Sequence, residues 1–448
     1  MQERSLIARH AATVLAGQLA VMAYGVTDTI VAGRHAQASL AALSIGSAFF
    51  ISVYVALMGL LQALLPVWAE QRGAREHAGI GRSVRQALYL CALTSLLGMA
   101  ALLFPDVVLE WTDIPPDLHP PVRHYLAVLA LALPPALLFR MYSTLNQALG
   151  HPRLVTWLQV ASLLVKIPLS IWFTFGGAGL PALGVVGCAW ATLVVNYLQL
   201  GLALWLLRTQ DIYQPLRLWQ PLERPDGRQL AAFMRLGVPA SLAIAVEVTS
   251  FTLMALFIAR QGTLAAASHQ IASNLAAVLY MVPLSLAIAT SARVSFWRGA
   301  GNDRHARQAA LIGFRLAALA SIALSAMLLI AKYRVAGIYT AQADVVQLTA
   351  GLLAWVAVYH LADAVQLLCI FVLRCYRITL APLLIYGCML WGVGLGGGYW
   401  LAYRGLGPLP TLHSPTPFWA TSTAALAVTA AAFAWMLART LRSPQAQS

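Results

Sequence analysis

The sequence predicts an all-α membrane protein of twelve transmembrane helices in two six-helix halves. Three observations carry that expectation. The chain of 448 residues is 60% hydrophobic and only 10% charged, with mean hydropathy +0.74. A soluble domain carries about 25% charged residues, so water is not its main solvent. Apolar stretches of about 20 residues, enough to cross roughly 30 Å of hydrocarbon, recur along the whole length. Basic residues alternate from linker to linker in the manner of a polytopic membrane protein.

Taken in order, the apolar stretches predict helices over 8–33, 40–69, 84–104, 122–148, 153–175 and 183–207, then 231–259, 266–297, 308–330, 347–373, 380–403 and 417–440. Each is apolar throughout, whereas a membrane β-barrel would alternate over about ten residues per strand. The first stretch is too long for a signal-peptide core, and no small-residue cleavage site follows it. Several exceed the bilayer thickness, which implies tilt or extension beyond it. Pro66, Pro135, Pro168, Pro283 and Pro382 are expected to interrupt their spans.

With the N-terminus placed in the cytoplasm, the cytoplasmic segments hold 22 of the 29 Lys and Arg residues, Arg140 and Arg374 among them. The opposite side holds six, and the remaining base, Lys166, falls near the middle of a span. That asymmetry predicts an even number of spans, both termini cytoplasmic and a bacterial inner-membrane location. It also accounts for the net charge of +14 without nucleic acid as a partner. The five cysteines lie in or at the ends of spans, without disulfide or metal spacing, and read as small packing residues.

The polar stretch 208–230, rich in charge, Pro and Trp, reads as a cytoplasmic linker between an N-terminal lobe (1–207) and a C-terminal lobe (231–448). The halves resemble one another. LAALSIGSAFF from Leu40 aligns with LAAASHQIASN from Leu264, and Arg-Gly-Ala at 72–74 recurs at 298–300, an offset of 226. Six spans return the chain to its starting side. The copies therefore share one topology, and a substrate path is expected between them.

Of fifteen acidic residues, three lie inside apolar spans: Asp28, Glu247 and Asp363. A carboxylate at bilayer depth costs roughly 2.5–3.5 kcal/mol on insertion scales, so these three are functional candidates. Tyr359 and Gln366 share a helix face with Asp363. Carboxylate, phenol and amide oxygens are hard ligands suited to sodium, and the same cluster could hold a proton. Glu247 follows Pro239 by eight residues, with Ser250 on its face. If Glu247 and Asp363 approach, they cannot both stay ionised without sodium or a proton between them.

Gln270, Ser273 and Asn274 form one stripe of the eighth span, and Thr192 and Asn196 one of the sixth. Gln270, Asn274, Gln366 and Thr192 are candidates for a substrate cavity, with polar bonding between helices as the competing role. His269 and His360 lack metal-site spacing and read as packing residues. No Gly-x-Ser-x-Gly or His-Glu-x-x-His motif is present, which disfavours an enzyme.

Four segments carry a family resemblance: AYGVTDTIVAGRHAQASLAALSIG from Ala23, SLLVKIPLSIWFTFGGAGLPALGVVGCAWAT from Ser162, RLGVPASLAIAVEVTSF from Arg235 and VYHLADAVQLLCIFVLRCYR from Val358. They resemble the multidrug and toxic compound extrusion transporters, in particular the NorM-type branch. The resemblance implies two lobes related by a pseudo-two-fold axis around a V-shaped cavity. It also implies antiport of bulky, often cationic drugs against sodium ions or protons, with no cofactor and a monomeric chain in the bilayer. On that resemblance, Glu247, Asp363 and Tyr359 belong to the cation site, for sodium or a proton, and Asp28 takes part in coupling.

The chain departs from the branch at Lys166, where Asn is usual; Ser170 follows four residues on, and Tyr24 lies one turn before Asp28. Lys166 is expected to pair with Asp28 and so replace a free cation there; an unpartnered position in a water-lined cavity, or snorkelling to an interface, is the competing reading. The first span also lacks the Pro that many relatives carry. A flippase for a lipid-linked saccharide precursor, from the same superfamily, is the competing function. It would call for a basic cavity, whereas the candidates here are three acids against one Lys.

Overall fold

A computed structural model describes residues 2–106, 116–177, 179, 181–405 and 411–442. Among these residues, twelve helices are long and apolar enough to span a bilayer. They are α1 (Gln2–His35), α2 (Gln37–Gly73), α3 (His77–Leu103), α4 (His119–Leu149), α5 (Pro152–Phe175) and α6 (Val185–Thr209). The second set is α7 (Gly227–Ala259), α8 (Thr263–Gly299), α9 (Asp303–Tyr339), α10 (Ala343–Cys375), α11 (Leu380–Tyr403) and α12 (Thr416–Arg442). Large aliphatic residues sit on the outside, with Ile330 87% and Leu164 68% exposed. Only a lipid solvent makes that arrangement favourable.

The helix ends have local causes. Pro120 and Pro121 open α4, and Pro152 opens α5, where the missing N–H is one the helix would leave unpaired. Gly150 closes α4 in the left-handed region at φ 75. Asn302 caps α9 by accepting from the His305 amide at 3.1 Å.

Prolines do less than expected. Pro135, Pro168 and Pro283 lie inside continuous helices, and Pro382 sits in the first turn of α11. Only Pro66 adjoins a break, a turn at 63–64 within α2. Neighbouring helices re-satisfy the carbonyls that a membrane proline frees. The larger distortion is a π-helical stretch in α11 over Cys388–Gly396, which contains three glycines. Its Gly394 carbonyl accepts from Thr421 Oγ1 of α12 at 2.7 Å.

The chain forms two compact units, Thr13–Ser241 and Met1–Ala12 with Leu242–Ser448. This division differs from the expected 1–207, 208–230 and 231–448. Residues 208–226 are not a free linker: they are docked on the first unit. Arg85, 4% exposed, donates from Nη1 to the Arg217 carbonyl at 2.7 Å and pairs with Glu223 at 2.6 Å. Those contacts hold the half-buried Glu223 carboxyl below its usual range, chiefly through the Arg85 hydrogen bond. Gln86 Nε2 donates to the Arg224 carbonyl at 2.9 Å, and Tyr213 Oη donates to Asn146 Oδ1 at 2.7 Å. The start of α7 joins the same unit because Leu236 and Ala240 pack with Ala63 of α2. In the other unit, Glu3 of α1 accepts from Arg293 Nε and Trp297 Nε1 of α8, each at 3.0 Å.

Within the first unit α4 is the central helix, packed on α2, α3 and α6; within the second, α10 packs on α8, α9 and α12. Burial agrees: the apolar stretch of α4 is 67% buried and that of α10 78%, against 22% for α7 and α9. The duplication inferred from Arg-Gly-Ala recurs as geometry. Arg72 Nη1 donates to the Ala148 carbonyl at 3.3 Å, and Arg298 Nη1 makes the matching bond to the Cys375 carbonyl. The adjoining turns match too, with Glu76 N donating to the Gln71 carbonyl and Asn302 N to the Trp297 carbonyl, both at 2.9 Å.

Docking of the 208–226 segment requires Gly81 in α3. A Cβ there would lie 1.7 Å from the Leu216 carbonyl oxygen, a backbone atom that cannot step aside. Gly81→Ala is expected to cost about 1–3 kcal/mol, the usual range for overpacking. The check is thermal unfolding together with trypsin cleavage after Arg217, which should accelerate.

Candidate functional site

The first unit closes around one buried ion pair. α1 supplies Asp28, α5 supplies Lys166 and Ser170, and α6 supplies Cys188 and Thr192. Lys166 is 0% exposed and Asp28 7%. Lys166 Nζ lies 2.8 Å from Asp28 Oδ1 and 3.0 Å from Oδ2. It also donates to the Cys188 carbonyl at 3.0 Å and to Thr192 Oγ1 at 2.7 Å. Three ammonium protons therefore meet three acceptor groups, and none is left over. Ser170 Oγ donates to Asp28 Oδ1 at 3.0 Å, so the carboxylate is held from two sides.

Close helix contact makes this cage possible. Gly187 of α6 lies against the α5 backbone, where a Cβ would come within 2.5 Å of the Phe173 carbonyl carbon. Thr192, expected in a substrate cavity, uses its hydroxyl on Lys166 and on the Cys188 carbonyl, 2.9 Å away. Tyr24, expected beside the pair, instead donates to the Gln159 carbonyl at 3.2 Å and accepts from Gln199 Nε2 at 3.4 Å. Its position one turn before Asp28 turns the ring toward the α5 backbone and the Gln199 side chain of α6 rather than toward the carboxylate.

The second unit holds the other two membrane acids. Asp363 of α10 is 3% exposed, and Glu247 of α7 is half-buried. Glu247 lies within electrostatic range of Asp363 and Arg374, and the Tyr386 hydroxyl of α11 faces it. Tyr280 of α8 and Tyr359 of α10 lie within range of both carboxyls, as does Tyr386. Gln366 Nε2 donates to Asp363 Oδ1 at 3.1 Å, while its own Oε1 is buried without a partner. Gln366 thus belongs to the acid cluster. Carboxylate, amide and phenol oxygens converge here with two acids and a single guanidinium nearby. Such a set can take a monovalent cation or a proton.

Aromatic packing fixes the frame. Tyr359, Phe251 and Trp419 meet edge to face, with centroids 5.9 to 6.2 Å apart. They line a small cleft with Ser250 and Ser422. His269 accepts at Nδ1 from Trp419 Nε1 at 3.3 Å, and its Nε2 meets Ser273 Oγ at 3.2 Å. Both ring nitrogens are used in packing. Gln270 and Asn274 are exposed on α8. Among the described residues, no group of three or more His, Cys, Asp or Glu side chains is arranged to hold a metal ion.

Sequence reasoning missed three members of the acid cluster and one buried base of the other unit. Tyr280 and Tyr386 look like interfacial aromatics until the fold places them by the acids. Arg374 and Arg140, grouped with cytoplasmic bases, lie inside α10 and α4 and are 4% and 7% exposed. The repeat offset carried a signal for Arg140, since 226 residues on it meets Gln366 of the acid cluster.

The MatE family profile matches residues 14–172 and 239–400. The chain belongs to the MatE family. It is 36% identical, over 97% of its length and 94% of the relative's, to "Probable multidrug resistance protein NorM" of Aromatoleum aromaticum. It is 32% identical to multidrug resistance protein PmpM of Pseudomonas aeruginosa, covering 87% and 82% of the two chains. The crystal structure of the eukaryotic MATE transporter AtDTX14 superposes with TM-score 0.87 at 18% identity, covering 100% and 98% of the two chains. That likeness shows the fold. As a MatE protein the chain is an integral membrane transporter, not an enzyme.

The closed pair in the first unit makes a stability prediction. Removing one partner of a buried ion pair costs about 3–5 kcal/mol, while replacing both by apolar residues is near neutral. Lys166→Met is expected to lower the thermal midpoint sharply, and Lys166→Met combined with Asp28→Leu to recover most of the loss. Detergent-solubilised protein followed by intrinsic fluorescence provides the check.

Proposed function

We propose that this protein is a multidrug efflux antiporter of the bacterial inner membrane that exports organic cations in exchange for sodium ions or protons. The supporting observation is the cluster around Glu247 and Asp363, two membrane acids in electrostatic range of one another, with Arg374 as a fixed positive neighbour. An inorganic cation or proton and an organic cation compete for that negative site. Relatives named as multidrug resistance proteins support the drug-export part of the reading. The basic-residue asymmetry, 22 against six, supports cytoplasmic termini. The chain works as a monomer, each copy carrying both halves.

Asp28 plays a different part. Its charge is already balanced by a covalently attached ammonium, so the exchanging cation loads at Glu247 and Asp363 and the Asp28 cage acts as a lock. One charge crossing 100 mV supplies about 2.3 kcal/mol, enough for roughly a 50-fold gradient of an exported cation.

Dye efflux from everted vesicles under an imposed pH gradient or an imposed sodium gradient tests this. The wild type is expected to respond to at least one gradient and Asp363→Asn to neither. A wild type that responds to neither removes the antiport reading. Lys166→Asn is expected to change the ion dependence by opening the Asp28 cage to a free cation; unchanged dependence contradicts the role given to Lys166.

A further inference from the structure

A partly open cleft lies in the Thr13–Ser241 unit, where the last turns of α4 meet the start of α5 and the middle of α1 at Val14 and Gln18. Its polar lining is Gln18, Arg140, Ser143, Gln147, Thr156 and Gln159, with no acidic residue. Arg140 is nine-tenths buried, at 7% exposure. Its Nη2 donates to Gln62 Oε1 at 3.0 Å, but its Nε has no acceptor. Among the described residues no carboxylate pairs with it. The titratable group that acts on it is the Tyr54 phenol. A guanidinium buried without an anion is costly.

A second feature points into the same space. α5 begins at Pro152 without a side-chain cap, and Pro152, Val155 and Thr156 line the cleft. The first amides of a helix have no intrahelical acceptor, and the dipole there favours negative charge. Arg153 is exposed beside the cleft, and Trp157 is 71% exposed one turn into α5. Exposed Trp and Arg together mark the headgroup level of a membrane.

We propose that this cleft binds one phosphate group, carried by the headgroup of an anionic membrane lipid or present as free inorganic phosphate. The Arg140 guanidinium supplies the charge, its planar fork matches phosphate oxygens, and the α5 amides and the Ser143 and Gln147 side chains provide further donors. Basic pockets between spans at the membrane surface take lipid phosphates in this way. The site is independent of the acid cluster in the other unit.

The full-length protein would be reconstituted in nanodiscs of phosphatidylcholine, with and without phosphatidylglycerol. Bound lipid is counted by native mass spectrometry and the thermal midpoint recorded. Phosphatidylcholine discs given inorganic phosphate, against chloride at equal ionic strength, form the second arm. The wild type is expected to retain phosphatidylglycerol and to melt higher with it. In Arg140→Gln that retention should fall by about tenfold or more, the loss expected when a hydrogen bond to a charged group is removed. A gain from inorganic phosphate alone, lost in the same variant, also supports the site and assigns it to the free ion. Should Arg140→Gln fail to fold, Ser143→Leu, which fills the cleft and leaves the guanidinium intact, is expected to abolish the gain. The proposal is overturned if the wild type gains nothing in either arm, or if the folded variants keep the whole gain.

Discussion

A carboxylate in hydrocarbon must find a counter-charge, and the ways of supplying one shape this molecule. The three membrane acids receive two kinds of answer. Asp28 is met by Lys166, an ammonium tied to the same chain, with Ser170, Thr192 and the Cys188 carbonyl completing a cage. Among the described residues, Glu247 and Asp363 receive only hydrogen-bonding side chains and one nearby Arg374. A covalently attached cation cannot leave, whereas a free one can. The distinction between a closed and an exchangeable site thus follows from which residue happens to carry the positive charge.

The surrounding architecture serves these two centres. Close backbone approach at Gly187 brings α6 to α5 and puts the Cys188 carbonyl on the Lys166 ammonium. In the other unit, the Phe251, Tyr359 and Trp419 rings hold α7, α10 and α12 in register beside the acids. Dry aromatic walls raise the strength of every charge interaction they enclose. The repeated Arg72 and Arg298 contacts show that the two halves descend from one packing scheme. The charged centres show how far the halves have diverged within it.

Much of this was legible in the sequence, for identifiable reasons. Hydropathy located all twelve spans because lipid forces apolar residues outward as well as inward. It missed helix ends such as 2–7 and 331–339, which extend beyond hydrocarbon and leave no hydropathy signal. The Asp28 and Lys166 contact was legible because each charge needs a partner and each is isolated along its own span. Tyr280 and Tyr386 were not, since a tyrosine in a span looks the same whether it faces a headgroup or an acid. Arg140 and Arg374 were hidden by their closeness to basic linkers, and the docking of 208–226 by the polar composition that made it look free. Tertiary contacts decide each of these, and local composition does not encode them.

The most direct measurement is cation displacement from purified protein. In weakly buffered detergent solution, tetraphenylphosphonium is titrated in while a pH indicator and a sodium electrode follow the release of either ion. Release that tracks binding in the wild type and disappears in the Glu247→Gln, Asp363→Asn double variant is the expected result. Release that persists after both carboxyls are removed would contradict the assignment of the exchangeable site to α7 and α10.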